Sequence, residues 1–151
     1  MNVMSEALYT VYLARQGETA WSISGQHTGL ADLPLTERGQ RHATRLGERL
    51  KGLTLARIFT SPLQRAATTC GLAGFGATAQ SDRDLVEWDY GQYEGRRTSE
   101  IHLDRPGWQL FRDACPGGES SSETGARADR LVSRVIQLWN DVKSCRSMTA
   151  F

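Results

Sequence analysis

Arg15, Arg65 and Glu87 are the side chains from which chemistry can be built in this chain of 151 residues. Arg15 stands in Leu13-Ala14-Arg15-Gln16-Gly17-Glu18-Thr19, at the end of an apolar run and just before a glycine that lets the backbone turn close to a ligand. A guanidinium offers a planar fork of donors matched to two oxygens of an oxyanion. Arg65 follows the Ile58-Phe59-Thr60-Ser61-Pro62 stretch by one helical turn, which is expected to bring it to the same sheet edge as Arg15. Two guanidiniums converging beside a helix N-terminus make an anion site. Glu87 lies among Leu85, Val86, Trp88 and Tyr90, where desolvation favours a protonated carboxyl able to act as a general acid. For Arg15 alone, an ion-paired arginine at a strand end is the plainer account, so the weight rests on the three residues acting together.

The elements that must position them read as an α/β alternation. Leu8-Tyr9-Thr10-Val11-Tyr12-Leu13 has the β-branched, aromatic and aliphatic composition of a buried strand near the centre of a sheet. Thr36 is an N-cap for a surface helix that buries Ala43, Leu46 and Leu50, turns Arg38, Arg41, Arg45 and Glu48 outward, and closes at Gly52. Leu55 to Thr60 reads as a second strand, and Ser61-Pro62 as the cap and first turn of the helix carrying Arg65. Residues 71 to 80 are rich in Gly and Ala and carry no clear period. Residues 82 to 118 hold Trp88, Tyr90, Tyr93, Trp108 and Phe111 among glycines and prolines, the composition of loops and short helices. After Ser120-Ser121-Ser122 a last helix is expected, with Ala128, Leu131, Val132, Val135, Leu138, Trp139 and Val142 on one face. The alternation predicts helices on both faces of a mostly parallel sheet, in a single domain over residues 1–151.

Composition narrows the partners. With 18 basic and 17 acidic residues the net charge is +1, which argues against nucleic acid. No apolar stretch approaches the ~18 residues of a membrane span, and Met1 to Thr10 lacks the pattern of a secretory signal, so a cytoplasmic protein is expected. Cys70, Cys115 and Cys145 are too widely spaced for a zinc site and odd in number, and read as free thiols; no metal or cofactor is called for. Sixteen of the 18 basic residues are arginine, a bias that codon usage explains and that gains meaning only from arginines placed at a site.

Six blocks then carry a resemblance: Arg15-Gln16-Gly17-Glu18-Thr19-Ala20-Trp21, Gly25-Gln26-His27-Thr28-Gly29, Asp32-Leu33-Pro34-Leu35-Thr36, Thr60-Ser61-Pro62-Leu63-Gln64-Arg65-Ala66, Glu87 to Gly95, and Gly117-Gly118-Glu119-Ser120. In order and spacing they resemble the histidine phosphatase superfamily, also called phosphoglycerate mutase-like, and most of all its sedoheptulose-1,7-bisphosphatase and acid phosphatase branch. The match runs from about Tyr9 to Val142. It implies the three-layer fold of that family and a small phosphate ester, a sugar phosphate, as substrate. It also implies Arg15 and Arg65 as phosphate ligands, Glu87 as proton donor to the leaving oxygen, and Ser22, Thr28 and the Gly29 backbone on the substrate side. Phosphoryl transfer needs such groups: charge neutralisation, an in-line nucleophile and an acid for the departing alkoxide.

Two departures follow from the same comparison. The family's nucleophile is a histidine directly after the first arginine, and here that position is Gln16. A carboxamide can hydrogen-bond a phosphate but cannot form a phosphoimidazole, because its nitrogen lone pair is delocalised. The family's second histidine lies in a Ser-His-Gly turn on a strand after the last helix; Ser144 to Phe151 contains neither, so the last strand and helix are expected to be missing. The expectation is therefore an ancestral phosphomonoesterase working through phosphohistidine, with activity lost or strongly impaired in this chain. A non-catalytic protein that binds a phosphorylated ligand or a partner, and a degenerate or frameshifted product, remain open, as does homo-oligomerisation. Of the three histidines, His42 reads as exposed and His102 as structural, while His27 sits in the substrate loop where it can contact phosphate. Cys115 reads as a structural thiol, Trp21 and Trp88 as packing, and Glu119 equally as a helix-start carboxylate or a site residue.

Overall fold

A computed structural model describes residues 10–147. Two parallel strands, β1 (Phe59–Thr60) and β2 (Gln80–Ser81), pair Phe59 with Gln80 and Thr60 with Ser81. They are joined by the crossover helix α3 (Gln64–Leu72), giving the strand, helix, strand unit that a parallel pair requires. Before them come α1 (Ala20–Ser24) and α2 (Glu37–Leu50); after them α4 (Thr98–Asp104), α5 (Leu110–Asp113) and the long α6 (Ser121–Ser147).

Helix α2 forms as its sequence dictates. Thr36 caps it by accepting the Gly39 N–H on Oγ1 at 3.0 Å, Glu37 favours the positive end of the dipole, and Ala43 is buried while Arg38, Arg41, Arg45 and Glu48 face water. It packs on α3 at close range: a Cβ on Gly47 would come within 2.6 Å of the Ala73 carbonyl oxygen. A second cluster gathers Tyr93, Ile101, Trp108 and Cys115, with Tyr90 and Leu110 against it. There the Trp108 indole N–H donates to the Ala114 carbonyl at 2.7 Å. Helix α6 lies over the Arg83–Leu85 turn and α5.

Four expectations are corrected. The Leu8–Leu13 strand is absent as far as it can be followed: Leu8 and Tyr9 lie outside the described residues, and Thr10 to Leu13 form no ladder, with Leu13 92% exposed. Among the described residues no strand pairs with this segment, and Val11, Tyr12 and Leu13 are exposed. The strand expected over Leu55–Thr60 shortens to two residues, and α3 begins at Gln64 with Leu63 as N-cap, two residues after the expected Ser61-Pro62 start. In α6 Val132 is 55% exposed and Ala128 faces water, whereas Leu131, Val135, Leu138 and Trp139 are half-buried; the helix continues past Ser144 to Ser147. The side chains of Val142 and Cys145 and the segment 148–151 lie outside the description. Among the described residues no helix is long and apolar enough to cross a membrane.

Candidate functional site

The Arg15-Gln16-Gly17 turn is pinned from two sides. The Gly17 N–H donates to Thr69 Oγ1 of α3 at 3.0 Å. A Cβ on Gly17 would meet the Gly39 carbonyl oxygen at 2.6 Å, and one on Gly39 would meet the Glu18 carbonyl oxygen at 2.3 Å. Glycine at both positions therefore lets the turn lie backbone to backbone on α2. The chain then enters α1 through a capping box: Thr19 Oγ1 accepts the Ser22 N–H at 3.2 Å and Ser22 Oγ accepts the Thr19 N–H at 2.9 Å. This reciprocal pair is what makes a five-residue helix form where no hydrophobic period announces one.

The loop after α1 is held by charge on both sides. Glu94 Oε1 accepts the N–H groups of Gly29 at 2.7 Å and Ala31 at 3.1 Å. From the other side Arg65, only 3% exposed, donates to the carbonyls of Ala31 at 2.8 Å and Gly29 at 2.7 Å. Gly29 has no room for a side chain, since a Cβ would lie 2.1 Å from the Trp88 carbonyl oxygen. Gln26 pairs antiparallel with Arg97, and His27 exchanges backbone bonds with Gly95 and Arg96, each at 2.9 Å.

A third device fixes the segment bearing Glu87. Arg127 of α6 forks onto Glu119 at 2.9 and 2.7 Å and also donates to the carbonyls of Asp84 at 3.0 Å and Val86 at 2.7 Å. Glu119 in turn accepts the Asp89 N–H at 3.1 Å, and its carbonyl takes the Trp88 indole N–H at 3.0 Å. The Arg127 guanidinium accordingly holds the Glu119 carboxyl below the usual carboxylate range.

These three supports meet around a cavity of about 140 Å³. Arg15, Gln16, Ser22, His27, Thr28 and Glu87, all singled out from the sequence, line it, joined by Thr19, Gln26 and Tyr90. A larger open groove of about 410 Å³ shares Arg15, Gln16, Ser22 and Gln26 with it and continues past Glu18 and Trp21. Burial and the neighbouring Glu87, Cys115 and Glu94 charges push the Tyr90 phenol up to about 12, so it stays a neutral hydrogen-bond donor. Burial likewise pushes the Cys115 thiol up to about 11, which leaves it protonated and inert at neutral pH. Among the described residues no group of acidic, histidine and cysteine side chains could hold a metal ion.

Along the chain the motifs keep the order described above, and a family model of the histidine phosphatase superfamily (branch 1) matches residues 11–144. The chain belongs to this superfamily. It is 37% identical over 131 residues to an acid phosphatase of Mycobacterium tuberculosis, covering 85% of this chain and 64% of that one. It is also 37% identical over 150 residues to sedoheptulose 1,7-bisphosphatase of Saccharomyces cerevisiae, covering 83% of this chain and 55% of the relative. A solved structure of open reading frame Rv3214 from Mycobacterium tuberculosis superposes with a TM-score of 0.75 at 38% identity, over 81% of this chain and 64% of that chain. The histidine phosphatase chain thus spans between about half and two thirds of these relatives' lengths, and its helices and small parallel pair conform to the α/β, phosphoglycerate mutase-like fold.

Within this superfamily member three sequence expectations change in detail. Arg65 does not line the cavity beside Arg15; its guanidinium is occupied by carbonyls of the loop that forms the wall, with Gly29 buried in that wall. Glu87 is exposed, its carboxylate accepting the Trp88 N–H at 2.9 Å, so the burial expected from its apolar neighbours in sequence falls to Trp88 instead. Ser22 lines the cavity while its hydroxyl also donates to the Thr19 carbonyl at 2.8 Å, which ties it to the helix cap. Tyr90 and Gln26 were not singled out; their placement inside the Glu87 to Gly95 and Gly25 to Gly29 blocks is the signal that could have found them.

Proposed function

We propose that the cavity binds the phosphate group of a small phosphate ester, a sugar phosphate, and that this chain as it stands does not transfer the phosphoryl group through a covalent intermediate. The observation carrying the reading is that Arg15 and Gln16 both line the cavity. Arg15 supplies the forked donor and positive charge; Gln16 can donate its amide N–H groups to a phosphate oxygen but has no nucleophilic nitrogen. Tyr90 adds a neutral donor. Arg65 supplies positive charge through the wall loop, and would contact phosphate directly only by exchanging a carbonyl for it. Glu87 stands as the proton donor of the family reaction, at a position open to the ester's bridging oxygen. The groove past Gln26 and Trp21, walled by carboxamide, hydroxyl and an indole, suits the hydroxylated remainder of the ester. Relatives named as an acid phosphatase and a sedoheptulose 1,7-bisphosphatase support this ligand class, and the reading is of a single cytoplasmic domain over residues 1–151 that is able to homo-oligomerise.

The test is hydrolysis of an aryl phosphate and of a sugar bisphosphate by the native chain, by Gln16→His and by Arg15→Ala. Expected is binding without phosphate release by the native chain. Release by the native chain that Arg15→Ala abolishes would show a working phosphatase and overturn the inactive reading, while leaving the ligand class intact.

A further inference from the structure

We propose that His27 is the anion ligand on the substrate side of the cavity, and that it takes up a proton from solvent as the anion enters. The inference rests on the phosphate-binding reading above and concerns one residue that reading does not need.

The geometry fixes the ring. The backbone of His27 is bonded on both sides, its N–H to the Arg96 carbonyl and its carbonyl from the Gly95 N–H, each at 2.9 Å. The imidazole stacks on Tyr90, with centroids 4.6 Å apart and planes at 28°, and meets the edge of Trp108 at 5.6 Å. Its Nε2 lies 3.1 Å from Thr98 Oγ1, which leaves Nδ1 with no protein partner among the described residues. The ring also lines the same cavity as Arg15 and Gln16. An imidazole held by two aromatic rings, lining a cavity with Arg15 and keeping Nδ1 unpartnered among the described residues, is able to donate from Nδ1 to an oxyanion.

The charges facing it decide when it carries the proton. Glu94, from the segment packed beside it, favours the imidazolium; burial between Tyr90 and Trp108 opposes it and is the larger effect, so the ring is held below its ordinary value. Arg15 and Glu87 are the charged groups that line the same cavity; Tyr90 is neutral, and Thr98 and Trp108 carry no charge. Arg96 is ion-paired to Asp104, and Arg97 spends its Nε on the Ser24 carbonyl at 2.8 Å. The empty site therefore holds a neutral imidazole at neutral pH. An anion in the cavity adds negative charge near Nδ1 and raises the ring's proton affinity. Binding then consumes up to one proton per anion, and affinity falls by up to tenfold per pH unit above the ring's value in the empty site.

Inorganic sulfate is the probe, because it does not itself titrate near neutrality. Calorimetric titration from pH 5.5 to 8, in two buffers of different ionisation heat, counts the protons taken up. Expected is uptake approaching one proton per sulfate in the native chain, lost in His27→Gln, with that variant's affinity independent of pH. The proton NMR titration of the His27 ring with and without sulfate gives the same answer without any variant: its midpoint moves up when sulfate is bound. Sulfate binding with no proton uptake, or uptake that persists in His27→Gln and so belongs to Glu87, overturns this assignment while leaving the phosphate-binding reading intact. No sulfate binding at any pH overturns both.

Discussion

Replacing Arg127 with alanine removes the fork that ties α6 to the Glu87 segment, and its cost can be worked from the contacts. The side chains of Arg127 and Glu119 are 11% and 22% exposed, so the pair is largely withdrawn from water. Removing one partner of a buried pair costs about 3–5 kcal/mol, because the other charge is left without its counter-ion. The partial exposure of Glu119 places this case at the lower end, and the carbonyls of Asp84 and Val86 lose their donor as well. The expected loss is about 3 kcal/mol, or a melting temperature lower by roughly 6–12 °C for a chain of this length. Urea unfolding followed by circular dichroism and by tryptophan fluorescence measures it, with Trp88 reporting locally because its indole N–H donates to the Glu119 carbonyl. Arg127→Lys keeps the charge but not the fork and should lose about half as much. The sign with pH is fixed: Glu119 has a depressed value in the folded chain, so its stabilisation is full above the unfolded carboxylate value of about 4.3 and is lost as pH falls through the folded one. The gap between native and Arg127→Ala should therefore be constant near neutrality and narrow in acid. A loss under about 1 kcal/mol, the range of a surface ion pair, would refute the view of this pair as a buried anchor.

Other outcomes follow from single residues. Ala114 sits at φ 55° and ψ −162°, a region natural only to glycine, so Ala114→Gly should stabilise the chain by about 1 kcal/mol in urea unfolding. Gly29→Ala would drive a methyl into the Trp88 carbonyl at 2.1 Å; destabilisation of about 3 kcal/mol or more is expected, with loss of phosphate binding measured by calorimetry. Ile101 is 0% exposed in the cluster with Tyr93 and Trp108, and Ile101→Ala should cost about 2–5 kcal/mol in the same unfolding assay.

What the sequence made legible was whatever is encoded locally. Thr36 and the spacing of Ala43, Leu46 and Leu50 specify α2 because a cap and a helical period act within a few residues. The start of α6 after the serine run is local in the same sense. Strand pairing is not: Thr10 to Leu13 has strand composition yet forms no ladder, and β2 uses Gln80 and Ser81, polar residues chosen by their register against β1. At the site, the motif blocks name Arg15, Gln16, Ser22, Thr28 and Glu87, and the fold brings these five side chains to one cavity. Which oxygens Arg65 contacts, and which loop Arg127 holds from more than 40 residues along the chain, depend on tertiary placement that no spacing rule encodes. The exposure of Glu87 is of this kind too, since its neighbours' burial says nothing of its own direction.

If the Arg15 cavity is an anion site, phosphate raises the thermal stability of the folded chain. A ligand that binds only the folded chain stabilises it by about 2.7 kcal/mol at one hundred times its dissociation constant. Melting the native chain and Arg15→Gln across a phosphate series should show the midpoint rising with phosphate in the first and staying flat in the second, with equal midpoints in its absence. A native chain that does not respond to phosphate, or an Arg15→Gln chain that responds equally, would mean that the Arg15 cavity is not an anion site.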